Sequence, residues 1–339
     1  MFRWPFLSAC MALLAGICPG QPGYVLDVSD RLPSAPFRVA AGELTTLWVH
    51  GLGIELAGPV FAPKGVLPTT FEGVSVEVEG WERTKGPVHQ AAILGLIPAC
   101  MVRPCPDVVG VVVQIPFELD LNYRDLTGGG YINVSKNGRR VASLPTLPCS
   151  RLPRILKGYG ALQTAFPEQP FSQTVRRVNG TLVHQWAPAT PGESVKVLAV
   201  GLGYNDYPPG QPRPLTGVPA GPDERLTIGT GTLADAVGIA FRFGINREGG
   251  PVLRQRSGGL PSDGLVEVRM LEGFVGLYEI VFRVPKSVPP GTPSCGPSPD
   301  RSEEYVLHNL VVSIGLIDNR NYVPHLVYDT VGLCVRTGQ

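Results

Sequence analysis

A twelve-residue pattern occurs twice in this chain and constrains its fold more than any other feature. Residues 42–53 read GELTTLWVHGLG, and residues 192–203 read GESVKVLAVGLG. Three glycines, a glutamate and a leucine recur at one constant offset, the distance along the chain from Gly42 to Gly192. That offset is the length of a domain and exceeds the repeat of a solenoid. The pattern predicts two copies of one module. Because the shared residues are glycines and strand formers, it assigns no chemistry.

The composition favours many short strands joined by tight turns. The 339 residues include 42 glycines and 35 prolines, but 43% are hydrophobic, which is too apolar for a disordered chain. Residues 74–79 read VSVEVE, so valines and polar residues would fall on opposite faces of a half-buried strand. Amphipathic helical periodicity is almost nowhere seen. The sequence predicts an all-β fold of two tandem immunoglobulin-like antiparallel β-sandwich domains after a signal peptide.

Four segments follow from these patterns. Residues 1–23 are predicted to be the signal peptide, 24–150 the first β-sandwich module, 151–186 a junction of short strands, and 187–339 the second β-sandwich module. Asn137-Gly138 predicts a hairpin between flanking strands, and Asn179-Gly180 predicts a second turn of this kind. Residues 89–96 and 306–317 are each predicted to form one continuous strand.

The N-terminus has the order of a secretory signal peptide. Arg3 supplies a positive charge, residues 6–17 are mostly apolar, and a proline-glycine pair ends the run, with cleavage expected near Gly20 or Gly23. The run is shorter than the about 20 residues that span a bilayer, so we expect no transmembrane segment in the mature chain. A buried N-terminal helix is the alternative, and Cys10, in the lipoprotein-like sequence LSAC, leaves a lipid anchor open. Export implies a secreted or cell-surface location.

Five cysteines remain after the predicted signal peptide is removed, and exposed thiols pair in an oxidising compartment. Cys100 and Cys105 bracket a proline-containing turn and could close a small loop. Cys295 and Cys334 could tie the last strand to a Gly/Pro-rich loop. Cys149 is then left over, and the sequence does not fix the connectivity. The cysteines do not form C-x-x-C units, so no metal site is predicted.

Several segments resemble a known family. Residues 187–193 (APATPGE), 200–203 (VGLG) and 273–285 (GFVGLYEIVFRVP) are similar to the Solibacter-type uncharacterised C-terminal domain family, which occurs in secreted proteins of acidobacteria. Residues 67–76 (LPTTFEGVSV) resemble the first half of the family pattern, so the resemblance covers about residues 37–339. It implies export, an immunoglobulin-like β fold and a cell-surface or extracellular role. It brings no catalytic residue.

Structural roles are expected at the two GLG turns and at two matching prolines. The turn glycines are Gly51, Gly53, Gly201 and Gly203. Glycine there supplies positive φ or close approach, whereas a dinucleotide-binding loop needs a third glycine that neither copy has. Pro116 and Pro285 would end matching strands without removing an interior hydrogen bond. The two prolines are farther apart in the sequence than the two GLG turns, so the second copy has extra residues between its GLG turn and its proline.

No catalytic, cofactor-binding or metal-binding residue is predicted. The five histidines are scattered, and the G-x-S-x-G motif of serine hydrolases is absent. The arginine pairs at 139–140 and 176–177 are interpreted as solvated strand ends. A formal net charge of +1 without a basic stripe excludes a typical nucleic-acid-binding protein.

Aromatic residues and long loops are the candidate contact sites. Trp81 follows a hairpin-like turn and is the candidate ligand contact, since an exposed ring can serve as a sugar-binding platform. Trp48 is predicted to lie in a core strand and Trp186 to fill the domain interface. Residues 205–222 and 288–301 form the loops where binding is expected first, because binding residues favour long loops on rigid scaffolds.

Together these features predict an exported, non-enzymatic surface or extracellular protein with a structural, adhesive or assembly role. Its partner would be a second copy of the chain, another surface protein or a glycan, and it would need no cofactor. Two alternatives stay open at this point: a carbohydrate-binding module protein and a hydrolytic enzyme.

Overall fold

The structure is a computed structural model, and the part of the chain that it describes is all-β. It describes residues 23–27, 37–79, 88–98, 108–118, 130–149, 154–156, 175–202, 214–221, 237–243, 252–253, 265–297, 306–316 and 327–337. These ranges contain 22 strands, paired mostly antiparallel, and no helix. The prediction of an all-β fold with antiparallel sheets is thereby confirmed. In these same ranges no helix has the length and apolar character needed to cross a bilayer.

Eleven strands form two sheets in the N-terminal half. They are β1 (Gly23–Asp27), β2 (Phe37–Ala40), β3 (Leu44–His50), β4 (Val60–Phe61), β5 (Thr70–Phe71), β6 (Val74–Glu79), β7 (Val88–Gln90), β8 (Ala92–Pro98), β9 (Val108–Gln114), β10 (Gly130–Lys136) and β11 (Arg139–Cys149). Sheet I has the order β1-β3-β9-β8-β4. Sheet II has the order β2-β11-β10-β6-β5, with β7 beside β6. Sheets I and II are called the first sheet pair.

Eleven more strands follow in the C-terminal half. They are β12 (Arg154–Ile155), β13 (Arg176–Arg177), β14 (Ser194–Val200), β15 (Val237–Phe243), β16 (Val252–Leu253), β17 (Leu265–Met270), β18 (Tyr278–Arg283), β19 (Gly296–Pro297), β20 (Val306–Leu307), β21 (Leu310–Leu316) and β22 (Val327–Leu333). Sheet III has the order β12-β14-β18-β17, with β13 beside β14, and sheet IV has the order β16-β15-β21-β22. Sheets III and IV are the second sheet pair, and β19 pairs with β20 separately.

Sheets I and III share one register in their central strands. Leu44 of β3 lies opposite Gln114 of β9, and Ser194 of β14 lies opposite Arg283 of β18. Leu44 and Ser194 are as far apart in the sequence as the two GLG turns. Gln114 and Arg283 are as far apart as the two strand-end prolines. A slip of one residue would turn every side chain to the other face. Equivalent residues therefore lie on equivalent faces of the two sheets.

The correspondence includes an irregularity in the next strand. Two adjacent residues of β9 pair with Ile93 and Gly95 of β8, so β8 has one extra, unpaired residue between them. The two equivalent residues of β18 pair with Leu265 and Glu267 of β17, which again leaves one extra residue. A bulge of this kind bends the strand and increases its twist. Its recurrence extends the common pattern from two strands to three.

Sheets II and IV correspond as well. Their central strands have the orders β11-β10-β6 and β22-β21-β15. Each also receives a parallel contact from a segment that precedes the repeated pattern. Val39 lies opposite Pro148 of β11, and Ala189 lies opposite Val335, just after β22. Val39 and Ala189 stand at equivalent places ahead of the two copies of the pattern, so the two sheet pairs follow one plan of strand pairing.

An apolar core fills the space within each sheet pair. In the first, Val74, Val76 and Val78 are fully buried against residues of sheet I, which confirms the alternation predicted for residues 74–79. In the second, Tyr278, Ile280 and Phe282 of β18 pack with apolar residues of sheet IV. Burying such side chains stabilises the fold by about 1.5–3 kcal/mol each.

A third apolar cluster lies between sheets I and III. Its buried members are Leu44, Leu67, Ala92, Leu94, Ile97, Val112, Leu156, Val200, Val275 and Leu277. The four sheets are thus stacked in the order II, I, III, IV. Strand β9 is buried on both faces, because Val111 and Val113 face sheet II while Val112 faces sheet III. This explains why its sequence is a run of valines without polar alternation.

The prediction of one strand at residues 89–96 is wrong. Strand β7 pairs with β6 in sheet II, whereas β8 pairs with β9 in sheet I. Between them, the Ala91 N–H donates to the Val76 carbonyl at 2.9 Å, and the Ile93 N–H donates to the Pro68 carbonyl at 2.7 Å. The chain changes sheets here, and an apolar run gives no sign of such a change.

The prediction of one strand at residues 306–317 is also wrong, because the strand is interrupted between β20 and β21. Asn309, which is 1% exposed, stands at the break. Its amide exchanges two hydrogen bonds with the backbone of Val335, at 2.7 and 2.8 Å, and donates a third to the Pro293 carbonyl at 3.1 Å. A side chain that binds the backbone in this way competes with the strand ladder.

Both predicted Asn-Gly turns are confirmed. Strands β10 and β11 pair across Asn137 and Gly138, whose φ angles of +49° and +77° match the hairpin turn that this dipeptide favours. At the second turn, the Gly180 N–H donates to the Arg177 carbonyl at 2.8 Å.

Candidate functional site

A turn closed by a glutamate side chain precedes the first core strand of sheets I and III. The Ala40 N–H donates to Glu43 Oε2 at 2.7 Å, and Glu43 is 1% exposed. The Thr190 N–H and hydroxyl donate to Glu193 Oε2 at 2.8 and 3.0 Å. The glycine before each glutamate has a φ of +73° or +83°, which L residues rarely adopt. The repeated glutamates therefore fix the entry of the chain into β3 and β14.

Arg177 joins the second of these turns to the neighbouring chain. Its Nε lies 2.8 Å from Glu193 Oε1, and its terminal nitrogens donate to three backbone carbonyls at 2.8–3.1 Å. Burial opposes ionisation of Glu193, but the hydrogen bonds from Thr190 and the charge of Arg177 outweigh it and lower the pKa of Glu193. The prediction of a solvated strand end is wrong for Arg177, whose side chain is 23% exposed.

The remaining predicted structural residues lie at turns and strand ends. Gly51, Gly53 and Gly201 have φ angles of +81°, +62° and +73°, and Gly203 lies outside the described residues. Pro116 and Pro285 come directly after the residues whose N–H groups donate to the carbonyls of Glu43 and Glu193, at 2.8 and 2.9 Å. Each proline thus stands one residue beyond the last pairing of its strand with the repeated turn.

Residues 214–221, here called the clasp, bind the first sheet pair. The Gly217 N–H donates to Oε1 of the buried Gln114 at 2.7 Å, and the Gly217 carbonyl accepts from the Leu67 N–H at 2.8 Å. The Thr216 hydroxyl accepts from the Phe117 N–H at 2.8 Å. It also contacts the carboxylate of the next residue, Glu118.

The clasp binds the second sheet pair through its other end. The Ala220 N–H donates to the Phe274 carbonyl at 2.9 Å, and the Ala220 carbonyl accepts from the Gly273 N–H at 2.8 Å. The clasp is the described part of the loop at 205–222 where binding was predicted first. This part contacts both halves of the chain.

Two glycines allow the halves to approach closely. A Cβ on Gly217 would lie 2.9 Å from the Ala92 Cβ and 3.0 Å from the Leu67 carbonyl oxygen. A Cβ on Gly276 would lie 2.5 Å from the carbonyl oxygen of Gly42. Both glycines have positive φ, +78° and +62°. A side chain at either position would clash with the other half of the chain, so this close contact requires glycine at both.

A charged network marks where the two sheets differ. Glu279 of β18 is 2% exposed and lies 2.8 Å from Lys196 Nζ and 2.5 Å from a guanidinium nitrogen of Arg269. The hydrogen bond to Glu279 is the main reason that the pKa of Arg269 is raised. The equivalent position of β9 is Gly110, where a Cβ would lie 2.9 Å from the ring of Trp48. In sheet I an indole ring packs over this position, whereas in sheet III the position carries a carboxylate that pairs with two cationic side chains.

One predicted disulfide is present. Cys295 and Cys334 are bonded, with their Cα atoms 5.5 Å apart, so this pairing is confirmed. Cys100 and Cys105 lie outside the described residues. Cys149 ends β11, where its backbone lies opposite Ala40 of β2.

The described histidines and acidic residues do not converge on one site. Within the described ranges, no group of three or more His, Cys, Asp or Glu side chains could hold a metal ion. His308 lies against Gly332, where an added Cβ would come within 2.3 Å of its ring nitrogen Nδ1. Burial lowers the pKa of His308. Its surroundings are those of a side chain packed against a neighbouring strand.

The three tryptophans that follow the predicted signal peptide have different outcomes. Trp186 was predicted to fill the domain interface, but it is 77% exposed. That prediction is wrong, because closeness to the junction in sequence does not fix the direction of a side chain. Trp48 is partly buried against the cluster between sheets I and III. Trp81, the predicted ligand contact, lies outside the described residues.

Comparison of the chain with protein-family models and with curated proteins finds no match in either set. The resemblance to the Solibacter-type family therefore stays a hypothesis.

The sequence interpretation missed two groups that organise the contact between the halves. Gln114 is the single polar residue at the end of a buried valine strand, and that contrast was a usable signal for a buried hydrogen bond. Thr216 and Gly217 carried no such signal, since they lie in a loop whose composition is typical of any turn.

Proposed function

We propose that the chain is an exported, non-enzymatic protein of two tandem immunoglobulin-like domains with a structural, adhesive or assembly role at the cell surface or outside it. The observation that carries the structural part is the clasp, together with the apolar cluster between sheets I and III. Contacts between domains of one chain are usually polar and permit relative motion. Here an apolar layer and a buried hydrogen bond between Gly217 and Gln114 support a rigid unit.

The strand order supports the immunoglobulin-like part of the proposal. In the immunoglobulin fold, one sheet has the order ABED and the other contains GFC. The order β1-β3-β9-β8 with β11-β10-β6 follows that scheme in chain sequence. The order β12-β14-β18-β17 with β22-β21-β15 follows it a second time. On this assignment, each sheet pair is one domain.

Two features support export. The N-terminal sequence has the charge, apolar run and breaker of a signal peptide. The disulfide between Cys295 and Cys334 is a kind of bond that persists in oxidising compartments and is rare in the cytosol. A surface or extracellular setting also suits a rigid pair of β domains that presents loops and edge strands to partners.

The test has a location arm and an assembly arm. The full chain is expressed in bacteria with its own N-terminus, beside a variant that lacks residues 1–23, and its location is measured by cell fractionation and protease accessibility. We expect the full chain outside the cytoplasm and the shortened variant inside it. The purified mature chain is then examined by analytical ultracentrifugation over a range of concentrations and by binding to intact cells. Retention of the full chain in the cytoplasm, or a strict monomer that binds no cell surface, contradicts the proposal.

A further inference from the structure

Strand β17 has one edge without a partner strand. It pairs with β18 on one side, and among the described residues no strand pairs with its other side. The equivalent strand of the first sheet pair, β8, is covered at this edge by β4, where Val60 and Phe61 lie opposite Leu96 and Gly95. A row of unpaired backbone N–H and carbonyl groups is a template for a further strand. The two copies of the module therefore differ at this edge.

The sequence of β17 has few of the features that keep an open edge unpaired. Natural sheets protect their edges with short strands, prolines, lysines and bulges. Residues 265–270 read LVEVRM and contain no proline, glycine or lysine. The bulge of β17 lies at its N-terminal end, between Leu265 and Glu267, and the pairing with β18 is regular from Glu267 to Met270. This regular part of the edge can accept another strand.

The hydrogen bonds between β17 and β18 fix which backbone groups face the open edge. The Leu271 N–H donates to the Leu277 carbonyl at 2.8 Å. Because hydrogen-bonded residues alternate along an antiparallel pair, the odd-numbered residues of the regular part direct their backbone groups toward β18. The N–H and carbonyl groups of Val268 and Met270 point away from β18. A strand added to this edge must therefore form its hydrogen bonds with these two residues.

A second copy of β17 meets this requirement in one register. Two identical strands that pair antiparallel are related by a two-fold axis, and the direction of the backbone groups allows this axis to pass through Val268 or Met270. With the axis at Val268, Glu267 of each copy lies opposite Arg269 of the other copy. With the axis at Met270, Arg269 would lie opposite Leu271. Opposite charges directly across an antiparallel pair are stabilising, so the charges select the register about Val268.

This register also extends a charged network that each copy already has. Glu279 lies 2.8 Å from Lys196 Nζ and accepts a hydrogen bond from Arg269 Nε at 3.0 Å. The side chain of Arg269 is still 37% exposed, so it can contact a second carboxylate. Glu267 of the other copy would supply that carboxylate, and cations and anions would then alternate across the interface. Because of the two-fold axis, two such rows of charges would form.

We infer that β17 is a self-association strand, through which two copies of this chain pair antiparallel about Val268 and join their copies of sheet III into one continuous sheet. The same strand is used on both copies, so the contact is isologous and closes as a dimer. Backbone hydrogen bonds would supply affinity, and the two pairs of Glu267 with Arg269 would fix the register. This inference deepens the assembly role proposed above and rests on it.

The experiment compares four forms of the purified mature protein: the wild type, Glu267→Arg, Glu267→Gln and Glu272→Arg. Glu272 lies on the exposed turn after β17 and is the matched control, because its replacement changes the net charge equally but lies outside the paired residues. Sedimentation is measured from about 1 μM to about 1 mM, where weak association is detected. Hydrogen–deuterium exchange of residues 265–270 is followed in the wild type over the same concentrations, and thermal unfolding shows whether each form is folded.

We expect the wild type and Glu272→Arg to show the same reversible monomer–dimer equilibrium. Glu267→Arg should raise the dissociation constant about tenfold or more, because two symmetry-related pairs change from attraction to repulsion. Glu267→Gln removes the attraction without adding repulsion and should have a smaller effect. In the wild type, exchange at Val268 and Met270 should slow as the concentration rises, and this readout needs no substitution that could disturb folding.

Three results would overturn the inference. The first is a wild type that stays monomeric at every concentration, and the second is a dimer that Glu267→Arg weakens no more than Glu272→Arg does. The third is a dimer in which exchange of residues 265–270 does not depend on concentration, which would place the contact elsewhere. A monomer that still binds cells would overturn this inference but leave the adhesive part of the proposed function standing. Failure of export would contradict that function without affecting these measurements on purified protein.

Discussion

Glu43 and Glu193 make the same backbone hydrogen bond at equivalent positions of the two copies of the repeated pattern. Each accepts from the N–H three residues earlier, Ala40 or Thr190, at 2.7 and 2.8 Å. Each also receives through its carbonyl the N–H of the residue before a strand-end proline, at 2.8 and 2.9 Å. The two glutamates differ in their surroundings, since Glu43 is buried whereas Glu193 is partly exposed and paired with Arg177. That difference leads to the first two predictions.

Replacing Glu43 with alanine should destabilise the protein by about 1–3 kcal/mol, the cost of leaving a buried N–H unpaired. Glu43→Gln keeps an oxygen that can accept from Ala40 and should cost less. The free energy of unfolding, from urea denaturation, measures both. Equal losses in the two variants would show that the hydrogen bond is not what the turn depends on.

The stabilisation that Glu193 provides should disappear in acid. Its folded-state pKa is lowered, so folding favours the ionised form. The contribution is fully present above the ordinary value of 4.5 and is lost as the pH falls through the lower folded-state pKa. The difference in unfolding free energy between the wild type and Glu193→Gln should be constant above pH 4.5 and shrink at lower pH. A difference that grows on acidification would contradict the sign of the shift.

Gly276→Ala should be more destabilising than Gly273→Ala, although both glycines have positive φ, +62° and +77°. Each substitution strains the backbone by about 1–2 kcal/mol. A Cβ on Gly273 meets nothing within 4 Å, whereas one on Gly276 would come within 2.5 Å of the Gly42 carbonyl oxygen. The clash should add about 1–3 kcal/mol. Thermal unfolding of the pair tests this, and equal stabilities would mean that the halves do not meet at Gly276.

Loss of the disulfide should lower stability by about 4 kcal/mol, because Cys295 and Cys334 are 39 residues apart and their bond constrains the unfolded chain. Cys295→Ser is the variant of choice, since Cys334 is 1% exposed and its replacement would also disturb packing. Wild-type protein unfolded in the presence of a reductant is the matched control and should agree with the variant. Unchanged stability in both would show that the bond does not form in solution.

Several strands, turns and the repeated pattern could be predicted from local patterns. The alternation at residues 74–79, the turn at Asn137-Gly138 and the two offsets, of the GLG turns and of the strand-end prolines, all correspond to observed pairings. These features depend on neighbours a few residues away or on a repeated pattern. Such information is present in the chain itself.

The contacts between the sheet pairs could not be predicted in this way. The direction of Trp186, the carbonyls bound by Arg177 and the partners of Gly217 all depend on segments that only the folded chain brings together. An exposed and a buried tryptophan have the same sequence signature. A loop glycine likewise gives no sign of which side chain, such as that of Gln114, will reach it.

The sequence by itself determined the all-β character, the repeated turn and the correspondence between the two copies, because turn chemistry and side-chain alternation are set by local spacing. The tertiary structure decided the stacking of sheet I on sheet III, the clasp at residues 214–221 and the exposure of Trp186. These depend on which apolar faces meet, and the free energy of burial depends on the area removed from water, not on the order of residues along the chain.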